Sequence, residues 1–484
     1  MTRHRSASRR AVPIAVLVGF SSVPLVLIGG VWQYAEANVP PSTTTTTTTL
    51  PPDPKDELST GLLSFRRHPT PLAEHVADQA SVAQLADSVS GLTDLIGAAS
   101  CVQIKRGEID IATTDQAVAV IPASNQKLFV AAVALDVLGP DYTFTTELQS
   151  AAPFLGTIMG DVFLVGGGDP VLRTADVVDP LTYPAINTTA LEVLADQLVV
   201  LGVTTIEGNL VGDGSRYDDE FRAPSWSDQI SNFDAGPYDA LLVNDGLISN
   251  GNYGLDPSRS AARVFLDLLL LRGVVVTGSA ANFSRPTDVA LTTLALVDSM
   301  PLTEILVEML HTSDNNTAEM LLKEIGYVAT GQGTRQAGLD TIRAALERWG
   351  ISTAGLQLHD GSGLSRENRT TCVTLAALLD ESPVAERLRA LLPVAGRDGT
   401  LAVQFLGTAA EGTLIGKSGT LTGVKALTGQ QPARDRLPVT FSVVLNGDHV
   451  DDLLTYEPVW NELVELIDSY PFVVAPELGR FVPR

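Results

Sequence analysis

Helical and strand-like spacings of apolar residues take turns along this chain. Residues 82–95 carry helical periodicity, weakened in the second half by Gly91. Residues 99–105 and 109–113 read as two strands joined by a turn at Arg106-Gly107. Pro122 then precedes a strongly apolar helical run over 124–138, closed by Gly139-Pro140. Between about 141 and 295 the texture changes to short β-like runs such as 160–166 and 203–212, broken by Gly, Asp and Pro. That stretch reads as a separate, mostly β module inserted into the fold. Helical spacing returns at 302–310, 317–325 and 338–349. The last part reads as strands over 413–418, 421–430 and 438–445, followed by a helix near 457–467. No internal repeat is evident.

The first sixty residues have a different pattern. Arg3, Arg5, Arg9 and Arg10 precede residues 11–32, a stretch of 22 residues without a charge. Such a run is long enough to cross a bilayer as one helix, and the arginines would keep its N-terminal side in the cytoplasm. Pro13, Pro24 and the Ser21-Ser22 pair weaken it as a regular helix, and Ala35-Glu36-Ala37 resembles a signal-peptidase site. Membrane anchor and cleaved signal are therefore both open, and either exports the rest of the chain. Residues 39–57 hold seven consecutive threonines among prolines, Thr43 to Thr49, and cannot pack a core. They read as an extended spacer between residues 1–38 and a globular part that begins near 58–60.

Composition narrows the function classes. With 484 residues, 45% of them hydrophobic and 18% charged, the chain is globular and long enough for two or more domains. Its formal charge of −24 repels phosphate backbones, which argues against nucleic-acid binding and against broad adsorption to anionic lipid. Membrane contact is expected through the N-terminal segment only. Cys101 and Cys372 form no zinc-ligand pattern and no Cys-x-x-Cys pair. Outside the cytosol they permit one disulfide between distant parts of the chain; two small buried hydrophobes is the other reading.

Lysine is scarce, at six in the whole chain, and only Lys127 has a serine three residues earlier, in Ser124-Asn125-Gln126-Lys127. On a helix, residues three apart share a face, so the amine would lie beside the hydroxyl. A serine at a helix N-terminus sits where free N–H groups favour developing negative charge. It becomes a nucleophile when a neighbouring base takes its proton, and a lysine held neutral can be that base. Alone, the tetrapeptide reads rather as an N-cap serine with a solvated lysine. Ser313-Asp314-Asn315, between two helical stretches, is the chain's one Ser-x-Asn and alone reads as a turn or N-cap. Lys417-Ser418-Gly419-Thr420 is its one Lys-Ser/Thr-Gly and falls in strand-like sequence. A glycine on a strand edge lets a substrate backbone approach and add a strand, while the amine and hydroxyls suit a terminal carboxylate.

Taken together, in this order and these contexts, the three motifs resemble the signature of penicillin-binding proteins and class A β-lactamases, with Ser418 where threonine is usual. The chain resembles one branch above all, the low-molecular-mass D-alanyl-D-alanine carboxypeptidase/endopeptidase family that carries an insertion after the first motif. The likeness runs from about 100 to 447. It includes Pro122-Ala123 before Ser124, Gly167-Gly168-Asp169-Pro170, the run 313–319, Asp360-Gly361-Ser362-Gly363-Leu364-Ser365-Arg366, Gly399-Thr400-Leu401 and 416–421.

The resemblance implies an α/β (α+β) transpeptidase-like fold, an antiparallel sheet between helical layers. Residues 58–145 and 296–484 would build it, with 146–295 inserted. It implies acylation of Ser124 with Lys127 as base, proton relay through Ser313 supported by Lys417, and binding of the substrate amide by Asn315. Ser418 and Thr420, across Gly419, would hold the terminal carboxylate, and the N–H groups of Ser124 and Thr420 would form the oxyanion hole. Arg366 and an acid of the insertion, Asp219 or the adjacent Asp218, would bind the peptide side chain, while Asp169 reads as a structural turn. Implied partners are peptidoglycan stem peptides, with β-lactams as covalent inhibitors. The interval between the first two motifs is short for relatives with a second domain nested in the insertion, so one inserted domain is expected.

No cofactor or metal is implied. The six histidines show no His-Glu-x-x-His arrangement, a Ser-His-Asp triad has no support beyond His311 near Ser313, and Gly166-Gly167-Gly168 lacks the Gly-Lys-Ser/Thr of a phosphate loop. The alternatives are a serine β-lactamase of the same fold, for which no Glu-x-x-Leu-Asn segment lies between the second and third motifs, and an inactive wall-binding scaffold.

Overall fold

The computed structural model describes residues 70–93, 99–113, 118–177, 187–249, 252–286 and 288–472. The candidate membrane segment and the Pro/Thr spacer lie outside the described residues.

Helix α1 (Thr70–Thr93) leads into the hairpin β1 (Cys101–Arg106) and β2 (Ile109–Thr113). Helix α2 (Lys127–Val137) follows, and its residues 127–135 are all buried. A helix apolar on every side belongs inside a core, and this one is enclosed accordingly. The chain then builds β3 (Thr145–Ser150), β4 (Val162–Val165), α3 (Glu192–Val200), β5 (Leu210–Asp213), α4 (Pro257–Leu271), β6 (Ala280–Asn282) and β7 (Thr292–Asp298). Helices α5 (Leu302–Thr312), α6 (Asn315–Thr330), α7 (Arg335–Arg348) and α8 (Cys372–Asp380) come next. Strands β8 (Ile415–Leu421), β9 (Val424–Pro432) and β10 (Pro438–Asn446) and helix α9 (Leu453–Ser469) complete the described chain.

The main sheet has the order β8-β9-β10-β1-β2 and is antiparallel throughout. Its two faces are both covered, which explains why β10 is buried along almost its whole length. Val444 and Cys101 face a core shared with α2, α5, α6, α7 and α8. Val102, Phe441 and Val443 face Trp460, Leu463 and Val464 of α9 and Leu85 of α1. The fold is thus a sheet between two helical layers. Strand β8 is its outer edge; beyond the bridge of Ile415 to Val394 and the Gly416 N–H bond to the Pro393 carbonyl, no described strand pairs with its other side.

Cys101 and Cys372 form a disulfide that fastens β1 to the first turn of α8 and closes a loop 271 residues apart in sequence. Cross-linking so long a loop restricts the unfolded chain strongly. Replacing both cysteines by alanine is expected to lower the unfolding free energy by roughly 2–4 kcal/mol in urea titrations.

A second sheet of order β6-β5-β4-β3-β7 is mixed, with β6, β5 and β4 parallel and β3 and β7 antiparallel. The chain enters it on β3 and leaves on β7, which pair from Thr145↔Asp298 to Thr292↔Ser150. Its own core holds Leu148, Leu164, Leu194, Leu198, Leu210 and Phe265. Two helices, α3 and α4, lie in this stretch, where the sequence pattern displays short β-like runs. Helix α4 starts on Asp256, whose carboxylate accepts from Arg259 N, with Pro257 in the first turn.

Residues 217–245 lie back against α6. Fully buried Lys323 pairs with Asp218 Oδ1 at 2.6 Å and donates to the Glu220 carbonyl at 2.7 Å. Buried Glu324 accepts from Arg216, Tyr142 and Tyr217. An unpaired charge at such depth is costly, so these contacts tie the segment to the helix that carries Asn315.

The β8–β9 strands depart from the expected bounds. Strand β8 runs on past 418 to Leu421, β9 begins at Val424 and not at 421, and the turn is at Thr422-Gly423, with Gly423 at φ +71°.

Candidate active site

Pro122 and Ala123 set the nucleophile's local geometry. Ala123 has φ 47°, a left-handed conformation uncommon for a residue with a Cβ. Residues 123–126 consequently form a 3-10 turn, and the α-helix begins at Lys127, later than the expected 124. Ser124 is half-buried in that turn. The three-residue offset still brings Lys127 Nζ to 3.2 Å from Ser124 Oγ.

Lys127 Nζ also meets Asn315 Oδ1 at 2.7 Å and the Ser362 carbonyl at 2.8 Å. Burial lowers its pKa to about 8, against the opposing pull of Asp314, Asp360, Glu319 and Glu308. Desolvation outweighs four carboxylates because none of them makes a direct ion pair with the amine. A neutral amine has two N–H groups and one lone pair. The two carbonyl-type oxygens take the N–H groups, so the lone pair is left for the Ser124 hydroxyl proton.

The Ser362 carbonyl is held by acids beneath it. Glu319 Oε1 accepts from the N–H groups of Gly361 and Ser362 at 2.9 and 2.7 Å. Asp360 accepts from the N–H groups of Gly363 and Ser365, from Asn368 Nδ2, and from Trp226 Nε1 at 2.8 Å. Burial raises the Glu319 pKa to about 7, with the Asp360 charge adding to the rise. Gly363, at φ +89°, abuts the nucleophile's turn so closely that a Cβ there would lie 1.9 Å from the Ala123 carbonyl oxygen.

Ser313 ends α5 in a left-handed conformation, φ 64° and ψ 34°, and Asp314 caps α6 by accepting from Thr317 N at 2.6 Å. This sharp joint turns the Ser313 hydroxyl to Lys417 Nζ at 3.0 Å. Lys417 is fully buried and also donates to the Ser418 carbonyl at 2.8 Å. Burial first, and the Lys127 charge second, hold its pKa well below the ordinary lysine value.

Strand β8 runs directly over the nucleophile's turn. A Cβ on Gly419 would stand 2.9 Å from Ser124 N and 3.1 Å from the Pro122 carbonyl oxygen. The Asn125 amide, oriented with its nitrogen toward Lys417, donates to that residue's carbonyl at 2.8 Å, while its oxygen accepts from Thr428 Oγ1 at 2.8 Å. Turn and strand edge are thereby pinned together. Ser418 Oγ shares a hydrogen bond of 2.7 Å with Thr400 Oγ1, and exposed Thr420 accepts from Lys425 Nζ at 3.0 Å.

Ser124, Lys127, Ser313, Asn315 and Lys417 are thus gathered in one cluster, with Ser418, Gly419 and Thr420 on its wall. Arg366 is exposed beside them and donates to the Thr422 carbonyl at 2.7 Å. Asp219 is exposed on the segment whose Asp218 is taken by Lys323, and it does not join the cluster. Asp169 is buried in a turn and accepts from Val171 N at 3.0 Å. Asn125, Glu319, Asp360, Ser362, Thr400, Thr428 and Lys425 have no role predicted from the sequence. Thr428 and Lys425 lie outside the motif segments singled out there, and Lys425 has only the scarcity of lysine as a signal. Among the described residues no three His, Cys, Asp or Glu side chains are grouped to hold a metal ion.

A family model described as the D-Ala-D-Ala carboxypeptidase 3 (S13) family matches residues 80–253 and 254–462. The chain belongs to this family. It is therefore a serine-type peptidase of the D-Ala-D-Ala carboxypeptidase kind. A D-alanyl-D-alanine carboxypeptidase of Actinomadura sp. (strain R39) is 34% identical over 409 residues, covering 68% of this chain and 73% of the relative. A carboxypeptidase of Mycobacterium tuberculosis is 31% identical over 344 residues, covering 68% and 72%. Among solved structures, penicillin binding protein 4 from Haemophilus influenzae superposes with a TM-score of 0.67 at 21% identity, over 78% of this chain and 99% of that one. The two chains share a fold.

Proposed function

We propose that the chain is an extracytoplasmic serine carboxypeptidase/endopeptidase that cuts D-alanyl bonds in peptidoglycan peptides through an acyl-enzyme on Ser124, and that β-lactams acylate the same hydroxyl. The observation that carries this reading is the buried Lys127 amine, whose Nζ lies 3.2 Å from Ser124 Oγ and 2.7 and 2.8 Å from Asn315 Oδ1 and the Ser362 carbonyl, so that its neutral form would keep a lone pair for the Ser124 proton. Lys127 takes the hydroxyl proton as Ser124 Oγ attacks the scissile carbonyl. The oxyanion forms between the N–H groups of Ser124 and Thr420. Ser313, backed by Lys417, relays to the departing D-alanine nitrogen the proton that Lys127 took from Ser124. Water then attacks the ester and frees Ser124.

The substrate strand adds to the open edge of β8. Its terminal carboxylate meets the hydroxyls of Ser418 and Thr420, its amide meets Asn315, and its side chain is met by Arg366, with Asp219 as the acid of the insertion. Residues 58–145 and 296–484 form the catalytic domain, and 146–295 the insertion. Residues 11–32 either anchor the enzyme or are removed near Ala35-Glu36-Ala37. The Cys101–Cys372 disulfide suits the oxidising compartment this requires.

The test is to incubate the exported part with fluorescent penicillin, digest it and sequence the labelled peptide, and separately to supply diacetyl-Lys-D-Ala-D-Ala. Stable label on the Ser124 peptide together with D-alanine release is the expected result. Rapid loss of label would move the reading to a β-lactamase, and no label with no D-alanine to an inactive wall-binding protein.

A further inference from the structure

Three of the six lysines, Lys127, Lys417 and Lys425, converge on this site, and only the first two have a place in the reaction as drawn. Lys425 is on β9 directly opposite Thr420. Directly opposed residues of an antiparallel pair point to the same face of the sheet. On that face the Lys425 ammonium is 3.9 Å from the Tyr456 ring centroid and 5.1 Å from that of Trp460, both on α9. The residue is 9% exposed. Aromatic faces attract a cation yet accept no conventional hydrogen bond, so the ammonium turns its hydrogen to the nearest oxygen. That oxygen is Thr420 Oγ1, at 3.0 Å.

The direction of this bond has a consequence for Thr420. An ammonium can only donate, so the threonine oxygen must accept. The hydroxyl's own hydrogen is then free of Lys425 and available to the open side of β8, where Thr420 is exposed. A hydroxyl that accepts from a cation is also a stronger donor.

We propose that Lys425 is a positioning residue for terminal-carboxylate recognition, holding the Thr420 hydroxyl as a donor toward the cleft and adding a positive charge behind it. The inference rests on the carboxypeptidase reading and assigns a further part of its substrate subsite. Lys417 lies on the Ser313 side of the site, and Lys425 on the α9 side. The ligand chemistry selected is an acyl donor ending in a free carboxylate.

The experiment compares acylation of the full exported chain by benzylpenicillin and by benzylpenicillin methyl ester, which lacks the carboxylate charge. Wild type must first be labelled by benzylpenicillin; failure there overturns the carboxypeptidase reading itself. Lys425→Met removes the ammonium and keeps an unbranched chain against Tyr456 and Trp460. It is expected to lower the second-order rate constant with benzylpenicillin about 10- to 100-fold while the methyl ester changes by about twofold or less. Lys425→Arg is expected to recover most of the lost preference. In a Thr420→Val background, Lys425→Met should cost little more, because both act through one hydroxyl. Equal losses on acid and ester, or an unchanged acid-to-ester ratio, would overturn the proposal. Should the methionine variant not fold, Lys425→Gln is read by the same ratio.

Discussion

Lys127→Ala is expected to slow acylation of Ser124 by about a thousandfold or more, at the upper end of what one general base contributes. Ser124→Ala should remove the reaction altogether. The reason for so large an effect is geometric. Lys127 Nζ has Ser124 Oγ, Asn315 Oδ1 and the Ser362 carbonyl as its neighbours, so no water-sized substitute reproduces all three contacts. The same amine sets the pH dependence. Its pKa, lowered to about 8 by burial, means that the ammonium form has no lone pair below that pH. The acylation rate constant should rise about tenfold per pH unit up to about 8 and then level off. Stopped-flow acylation by benzylpenicillin from pH 6 to pH 10 measures this directly. A rate independent of pH across that range would exclude Lys127 as the proton acceptor.

The sequence announces this chemistry unevenly, for reasons that differ by residue. The pairing of Ser124 with Lys127 is legible because a three-residue offset is local and survives the exchange of an α-helical turn for a 3-10 turn. Ser313 and Asn315 are legible as a loop between two helices, since Asp314 supplies the cap that begins α6. What brings Lys417 to Ser313 across the fold is tertiary, and only the likeness to known motifs points to it. The β8–β9 strand ends differ from expectation for a physical reason. Glycine marks both a turn and a close backbone approach, and here Gly423 does the first and Gly419 the second. Ending the first strand at 418 leaves the pairing of Thr420 with Lys425 out of sight. Helix α3 is hidden similarly, because nine residues rich in Val and Leu carry too few turns to separate helix from buried strand. The acids under the Ser362 carbonyl, Glu319 and Asp360, come from two segments, and Glu319 reaches the Gly361 N–H across 42 residues of sequence, so their meeting follows from packing alone.

Gly419→Ala tests how tightly the strand must lie on the nucleophile. The new methyl group would stand 2.9 Å from Ser124 N, 3.1 Å from the Pro122 carbonyl oxygen and 3.2 Å from Ala123 Cβ. None of these belongs to a flexible side chain, so relief requires strand and turn to separate. Neither yields easily. The strand is paired with β9 from Ile415↔Gln430 to Leu421↔Val424, and Asn125 ties the turn to Lys417 and Thr428. Gly363 meets the turn from another side. Overpacking of this kind costs about 1–3 kcal/mol of stability, which leaves the protein folded. Its effect on chemistry is larger, because the oxyanion donors proposed on Ser124 and Thr420 are on the two sides of the contact that opens. Loss of one such donor slows the reaction about 100- to 1000-fold, and Gly419→Ala is expected to slow acylation by about 100-fold. The variant should keep the wild-type pH midpoint, since the contacts of Lys127 with Asn315 and the Ser362 carbonyl do not involve β8. Acylation within threefold of wild type would mean that β8 contributes no donor to the oxyanion, and that the hole must be sought elsewhere on the turn.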